Sequence, residues 1–426
     1  MKAQACSVAS QKSIRFAELC CGLGGFRLGL ELEGWQGVYA CDSDEVVAKA
    51  HRHVFGHCDH KDVSTLDASD LPACEVLVAG FPCQPFSSSG HRNADQHRHG
   101  NVFEAIVQLL LKTRIPVAMF ENVQGLLSNQ KGYTFARILE AMTGLGFRVD
   151  WVLFDALWCG VPQHRPRLLL CCYQHSAGSE PKTDLFGDAV FDHLPSGWVF
   201  GGDAALPKVT LSGVVEGARL DQTVEELRPT VGRRAAGRAT PFRAAGSAIG
   251  NHYWTSDVRC EGSALSAVLG DICCPRFKER SRVRSARYWG HTGDTRIYMC
   301  EGEYSHCIGT SIGAAPLFAV PESLLASKKQ QDLFEEFANW RQVKDGVRVA
   351  RLVPERSVLL FGEEAIPLVK GIQSLSAGVT TQYKLIGNLV VPSVARFMAK
   401  CIQGKILGQP TRSPKAVRRS TRKTTR

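Results

Sequence analysis

The stretch that most constrains this chain is Ala79-Gly80-Phe81-Pro82-Cys83-Gln84-Pro85-Phe86-Ser87. Four apolar residues, Val76-Leu77-Val78-Ala79, read as a buried strand, and Gly80 and Pro82 end it. A thiol held between two prolines directly after a strand has its direction restricted before any substrate arrives. Open α/β sheets place reactive groups at the carboxyl ends of their strands. A cysteine in a turn is otherwise a small apolar residue, so the meaning of Cys83 depends on what surrounds it.

Upstream, Ile14–Leu19 reads as a first strand, followed by Cys21-Gly22-Leu23-Gly24-Gly25-Phe26 and a helix through about Glu33. A glycine loop between strand and helix lets a ligand approach the backbone and the helix N-terminus. A dinucleotide fingerprint would need a third glycine at position 27, which is Arg27. The second strand, Gly37–Cys41, ends in Asp42, twenty residues past Gly22. A carboxylate there is placed to accept hydrogen bonds from ribose hydroxyls, with Ser43 or Asp44 capping the next helix. Asp62, in Lys61-Asp62-Val63, is a candidate acceptor for an adenine amino group.

Downstream, residues 87–100 form a long polar stretch, and a helix is expected over 101–113. A strand, Val117–Phe120, then delivers Glu121-Asn122-Val123. Successive strand ends gather on one edge of a parallel sheet, so Glu121 and Cys83 are expected to face each other across 38 residues of sequence. Phe135, Ile138, Leu139, Met142 and Leu145 mark the core face of a helix. An antiparallel pair is expected around 147–155 and 167–173. Between them, in Gln163-His164-Arg165-Pro166-Arg167, the two arginines would point the same way in an extended chain.

From about residue 174 the β/α rhythm is lost, and Gly, Pro, Arg and interleaved aromatics point to a second, irregular, β-containing domain. Residues 328–345 read as a charged helix. Gln382–Pro392 restores a compact signal, with Pro392 opening a helix to about Cys401. The expected fold is therefore α/β: a doubly wound, mostly parallel sheet with a second domain. Net charge is +10, and residues 408–426 contribute seven Lys/Arg and no acid. Residues 228–296 hold thirteen Lys/Arg against five Asp/Glu. Such basic segments suggest a polyanion partner. No apolar run approaches the ~18 residues of a membrane span, and no secretory signal is visible, so an intracellular chain with reduced thiols is expected. The 16 cysteines include no CxxC spacing. Neither His91, His97 and His99 nor the set Cys260, Cys273, Cys274, Cys300, His306 and Cys307 has ligand-like pairing, so no metal is expected.

Together, FAELCCGLGGFRLGLE, GFPCQPFSSSG, FENV, QHRPR and YKLIGNLVVP, in this order, resemble the cytosine-C5 methyltransferases, closest to the DNA-modifying branch. The resemblance covers about 14–173 and 380–403. It implies a class I, Rossmann-like methyltransferase fold whose methyl donor is S-adenosyl-L-methionine. It also implies double-stranded DNA as partner, with the target base flipped out of the duplex. Cys83 would add as a thiolate to cytosine carbon 6, making carbon 5 nucleophilic. Glu121 would bond N3 and the exocyclic amine, protonated part of the time, as burial promotes. Arg165 would hold the base's carbonyl oxygen, and Arg167 would orient Glu121 or a phosphate. Gly22, Leu23, Gly24, Gly25, Phe26, Asp42, Ser43, Asp62, Val63, Pro82, Asn388 and Val390 are the implied cofactor residues. Gln84, Ser87, Ser89 and Asn122 are the implied substrate contacts.

The implied division is an N-terminal extension over 1–13, a catalytic domain over 14–173 and a target-recognition domain over 174–379. A returning segment, 380–404, and a basic tail, 405–426, complete it. The tail resembles a nuclear import signal or a DNA-tethering arm, which implies a nuclear protein in a eukaryote and a cytoplasmic one otherwise. Three departures stand out. Cys20 replaces a common aromatic, Ser43 replaces a common large apolar residue, and the arginine-rich element before the final motif is represented only by Ala350-Arg351-Leu352. Two other readings compete: a tRNA cytosine-5 methyltransferase, and a DNA-binding homologue without activity. The Gly-Phe-Pro opening of the nucleophile stretch speaks against the first. Intact Cys83, Glu121 and Arg165 speak against the second.

Overall fold

The computed structural model describes residues 13–82, 102–174, 211–214, 240–256, 288–292, 295–299, 305–306, 317–321, 334–335 and 347–407. Cys83, Gln84, Ser87 and Ser89, the candidate loop histidines and residues 408–426 of the basic tail lie outside them.

Apolar runs bounded by glycine and polar residues form the strands β1 (Arg15–Leu19), β2 (Gln36–Asp42), β4 (Val76–Ala79) and β5 (Val117–Val123), and the polar pair Asp59–His60 adds a short β3. These five pair in parallel in the order β3-β2-β1-β4-β5. The order reverses between β1 and β4, and a sheet of this kind opens a ligand crevice at the carboxyl ends flanking such a reversal. The glycine loop after β1 and the turn after β4 both emerge there.

The side chains of these strands alternate between two apolar layers, as the two-residue period of a strand requires. Phe16, Val76, Val78, Val117 and Met119 enter one layer, with Leu28 and Leu30 of helix α1 (Gly25–Leu32) and Val47 of helix α2 (Glu45–Phe55). Ala17, Leu19, Leu77, Ala79, Ala118 and Phe120 enter the other. There they meet Phe103, Ile106 and Leu109 of helix α3 (Val102–Thr113) and Ile138, Leu139 and Met142 of helix α4 (Tyr133–Gly144). The doubly wound α/β arrangement read from the sequence is therefore present.

Beyond β5 the sheet turns antiparallel. β6 (Phe147–Asp155) and β8 (Pro166–Gln174) pair with each other, and β8 pairs with β5. A two-residue strand, β7 (Gln163–His164), lies between them in sequence. The sheet does not stop at residue 174. β9 (Leu211–Val214), β10 (Ala245–Ile249) and β11 (His252–Ser256) extend it through β6 to ten strands. A domain boundary drawn at 174 thus assigns three strands of the first sheet to the second unit.

Five further strands form a separate sheet: β12 (Tyr288–Thr292), β13 (Thr295–Met299), β15 (Leu317–Pro321), β16 (Phe334–Glu335) and β17 (Val347–Leu352). The charged helix expected over 328–345 is contradicted where the residues are described. Phe334 and Glu335 pair with Leu352 and Arg351 of β17, so ladder pairing overrides local helical preference. The short β14 (Ser305–His306) pairs with β7 of the catalytic region.

The chain rejoins the first core at Leu352, well before residue 380. Val358, Leu360, Phe361, Ala365, Leu368 and Ile372 are buried with the catalytic strands. Helices α5 (Val379–Gly387) and α6 (Pro392–Lys405) follow. The stretch Val379–Gln403 is long and apolar enough to cross a membrane, yet 72% of its most apolar window is buried inside the protein. The non-helical residues between α5 and α6 also divide it. It reads as core. Phe397 of α6 stacks on Phe154 of β6 with ring centroids 4.5 Å apart. Phe397→Ala should therefore cost about 3 kcal/mol of stability. Urea unfolding checks this, and an unchanged midpoint would place α6 outside the catalytic core.

Candidate active site

The glycine loop is open at its first glycine and packed at the next two. Gly22 (φ +56°) donates its N–H to Asp42 Oδ2 at 3.0 Å, and a Cβ there would meet nothing within 4 Å. Gly24 (φ +89°) caps α1 in the left-handed region and lies against His51 and Phe55 of α2. A Cβ on Gly25 would collide with the Val390 carbonyl oxygen, so only glycine lets α1 meet the returning segment. Leu23 and Phe26, both implied in cofactor binding, are 1% exposed in the core. Their side chains pack the scaffold, and only their backbone is left for a ligand.

Asp42 ends β2 with both oxygens engaged: Asp44 N–H donates to Oδ1 at 3.0 Å, and Gly22 N–H to Oδ2. Burial raises its pKa, while those two backbone donors oppose the rise. Asp44 is the residue that caps α2, accepting from Val46 and Val47. Ser43 accepts a bond at its carbonyl from His60 Nε2. Asp62 caps a short turn, its Oδ1 accepting from both the N–H and the hydroxyl of Ser64, with Val63 buried beneath.

On the other side of the reversal, Ala79 of β4 pairs with Phe120 of β5, so Gly80 leaves the sheet beside Glu121. A Cβ at Gly80 would lie 3.9 Å from Glu121 Oε2 and 3.7 Å from Val390 Cγ2. The Glu121 carboxylate, the turn leading to Cys83 and the Val390 segment thus converge. Phe81 anchors the turn from below, packed on Phe103 and Phe120. Asn122 braces it: its amide donates to the Phe81 carbonyl at 2.8 Å, and its oxygen accepts from Val123 N–H at 2.9 Å. Asn122 is 4% exposed, so it positions this turn where the sequence implied a substrate contact.

The two arginines do not share a face. Arg165 lies between β7 and β8, and this break in the strand ends the two-residue alternation. Its guanidinium is buried, donates from Nη2 to the carbonyls of Gly387 (2.8 Å) and Leu389 (2.9 Å), and lies over Phe361. It braces the Asn388–Val390 turn. Arg167 is the arginine at the carboxylate, with Nε 2.9 Å from Glu121 Oε1.

Sequence reasoning missed Asp155. This residue caps the turn Ala156–Cys159, accepts the backbone N–H of Arg165, and meets His164 Nδ1 at 2.5 Å. Its signal was an aspartate closing a strand immediately before a short turn.

Residues 14–190 match the family model for C-5 cytosine-specific DNA methylase. Among curated relatives, the Bacillus subtilis Type II methyltransferase M.BsuFI is 32% identical over 193 residues, 43% of this chain and 47% of that protein. Type II methyltransferase M.MspI of Moraxella sp is 29% identical over 217 residues, 47% of this chain and 52% of that protein. The chain thus spans about half the length of the curated relatives it matches. Among solved structures, the S. pombe Dnmt2 methyltransferase is similar with a TM-score of 0.54 at 14% identity, covering 92% of this chain and 99% of that one. The Entamoeba histolytica methyltransferase EhMeth gives 0.50 at 12% identity, with 92% and 99% covered. These two likenesses show the fold alone.

The Asp155 hydrogen bond raises the pKa of the exposed His164, against a smaller effect of burial. A raised folded-state value stabilises fully below the unfolded value of about 6.5 and is lost as pH rises through the folded value. Wild type should therefore lose stability relative to His164→Gln as pH climbs above about 6.5. Urea unfolding of both proteins across that range checks this, and parallel curves would contradict it.

Proposed function

We propose that the chain is a DNA cytosine-5 methyltransferase that modifies a flipped cytosine through a covalent bond between Cys83 and carbon 6. The observation that carries this reading is the Glu121–Arg167 pair beside the Gly80–Pro82 turn, on the edge of the sheet that also presents the glycine loop. The match of residues 14–190 to the methylase family supports it.

S-adenosyl-L-methionine is the cofactor this reading requires, and the loop fits one. The space beside Gly22 is open, and the Asp42 carboxylate lies 3.0 Å from the Gly22 N–H. Gly22, Asp42, Ser43, Asp62, Val63, Pro82, Asn388 and Val390 would hold it, with the backbone of Leu23 through Phe26. When bound, it supplies an activated methyl group. The protein's own groups do the rest. Asn122 and Phe81 fix where the turn leaves the sheet. The Cys83 thiolate attacks carbon 6 of the base, and Glu121 delivers a proton at N3 as that bond forms. Arg167 holds one Glu121 oxygen, leaving Oε2 for the base. Arg165 acts at one remove, fixing the Val390 segment against the glycine loop.

Residues 257–352, with the five-stranded sheet, are proposed to grip and read the duplex, together with the basic tail. Gln84, Ser87 and Ser89 are proposed contacts to the base and its phosphates. Transfer of labelled methyl from S-adenosyl-L-methionine to DNA should vanish in Cys83→Ser and fall about 100-fold or more in Glu121→Gln. Arg167→Ala should depress kcat, whereas Arg165→Lys should act on cofactor KM and stability. Wild-type transfer to RNA but not to DNA would overturn the choice of substrate, and full transfer by Cys83→Ser would overturn the mechanism.

A further inference from the structure

Directly beneath the glycine loop lies a buried cluster that the methyl-transfer reading does not use. Cys21 immediately precedes Gly22, His51 sits on α2 against Gly24, and Cys58 follows α2. Their exposures are 6%, 0% and 3%. One ligand atom from each lies within 4.8 Å of those of the other two. The two sulfurs are 3.4 Å apart. That is far longer than a disulfide bond of about 2.0 Å. It is close to the roughly 3.8 Å that separates two thiolates bound at about 2.3 Å to one tetrahedral zinc.

His51 carries the second observation. Its Nε2 faces Glu18 Oε2 at 3.4 Å, and Glu18 is 1% exposed. Its Nδ1 is buried and makes no well-formed hydrogen bond among the described residues, while the ring interacts with the Cys58 thiol. A ring that donates from one nitrogen to a carboxylate presents a lone pair at the other, and metal-bound histidines are commonly oriented this way. We propose that Cys21, His51 and Cys58 bind a transition-metal dication of the Zn2+ class, with Glu18 orienting His51.

The donor set selects the metal. Thiolate and imidazole favour zinc-like ions over magnesium or calcium, which take oxygen ligands. Binding displaces the thiol protons to solvent, and no oxidant or reductant is required. The consequence is architectural. One ion would tie the end of β1, the helix α2 and the segment after it into a single unit under Gly22 and Gly24, where Cys21 N–H already bonds the Cys41 carbonyl. The 36 residues between the cysteines explain why no short ligand spacing announces the site.

The full-length chain should be purified without chelator and its metal content measured, then stripped and titrated with Co2+. The expected result is about one ion per site with a thiolate-to-cobalt charge-transfer band. That band should be lost in Cys58→Ser and His51→Gln and kept in Cys74→Ser. Glu18→Gln should keep the band but weaken metal affinity roughly 10- to 100-fold. Should the cluster variants fail to fold, the unaltered chain still decides. Zn2+ should slow alkylation of Cys21 and Cys58, read by mass spectrometry, and leave Cys74 unaffected. A metal-free chain that shows no cobalt band, a band indifferent to Cys58→Ser, alkylation indifferent to Zn2+, or a Cys21–Cys58 disulfide would each overturn the proposal. None of these readouts passes through methyl transfer.

Discussion

The buried guanidinium of Arg165 joins parts of the chain more than two hundred residues apart. It donates to the carbonyls of Gly387 and Leu389 while its own backbone N–H is held by Asp155. Hydrogen bonds from a charged donor are worth about 1.5–3 kcal/mol each, and a buried charge deprived of its acceptors would cost more than they yield. The clasp therefore fixes the Asn388–Val390 turn. That turn in turn abuts Gly25 and stands 3.7 Å from where a Cβ would sit on Gly80. Both halves of the crevice, the glycine loop after β1 and the turn after β4, are referred to the same buried arginine.

Around that clasp the site divides its work between groups that face the crevice and groups that hold them. Glu121 and Arg167 pair at the strand edge, while Asn122 bonds the backbone of Phe81 and Val123, and Asp155 accepts from the backbone of Leu157 and Arg165 and meets His164. A carboxylate held at one oxygen by an arginine has the other oxygen in a defined place, which is what proton delivery to a positioned base needs.

The parallel half of the sheet was legible because buried parallel strands read as short apolar runs between glycine loops. Val76–Ala79 and Val117–Phe120 are of this kind, and their register places Glu121 beside Gly80. Ala245–Ile249 was not legible. Its core-facing positions include Gly246 and Ser247, because the Trp151 ring occupies the space a side chain would need at 246 and Ser247 bonds buried Asp150. The arginine roles were also out of reach, since alternation assumes an unbroken strand and the ladder breaks at Arg165. The cluster at Cys21, His51 and Cys58 assembles from three separate elements, which no local spacing reveals.

In the proposed mechanism the turn after β4 leads to Cys83, whose sulfur attacks a base held by Glu121. Incubation with S-adenosyl-L-methionine and DNA carrying 5-fluorocytosine tests it most directly, because fluorine at carbon 5 blocks release of the enzyme. Mass spectrometry of the digested complex should find methylated fluorocytosine bound to the peptide containing Cys83. A complex attached through any other cysteine, or no covalent complex with DNA at all, would contradict the account.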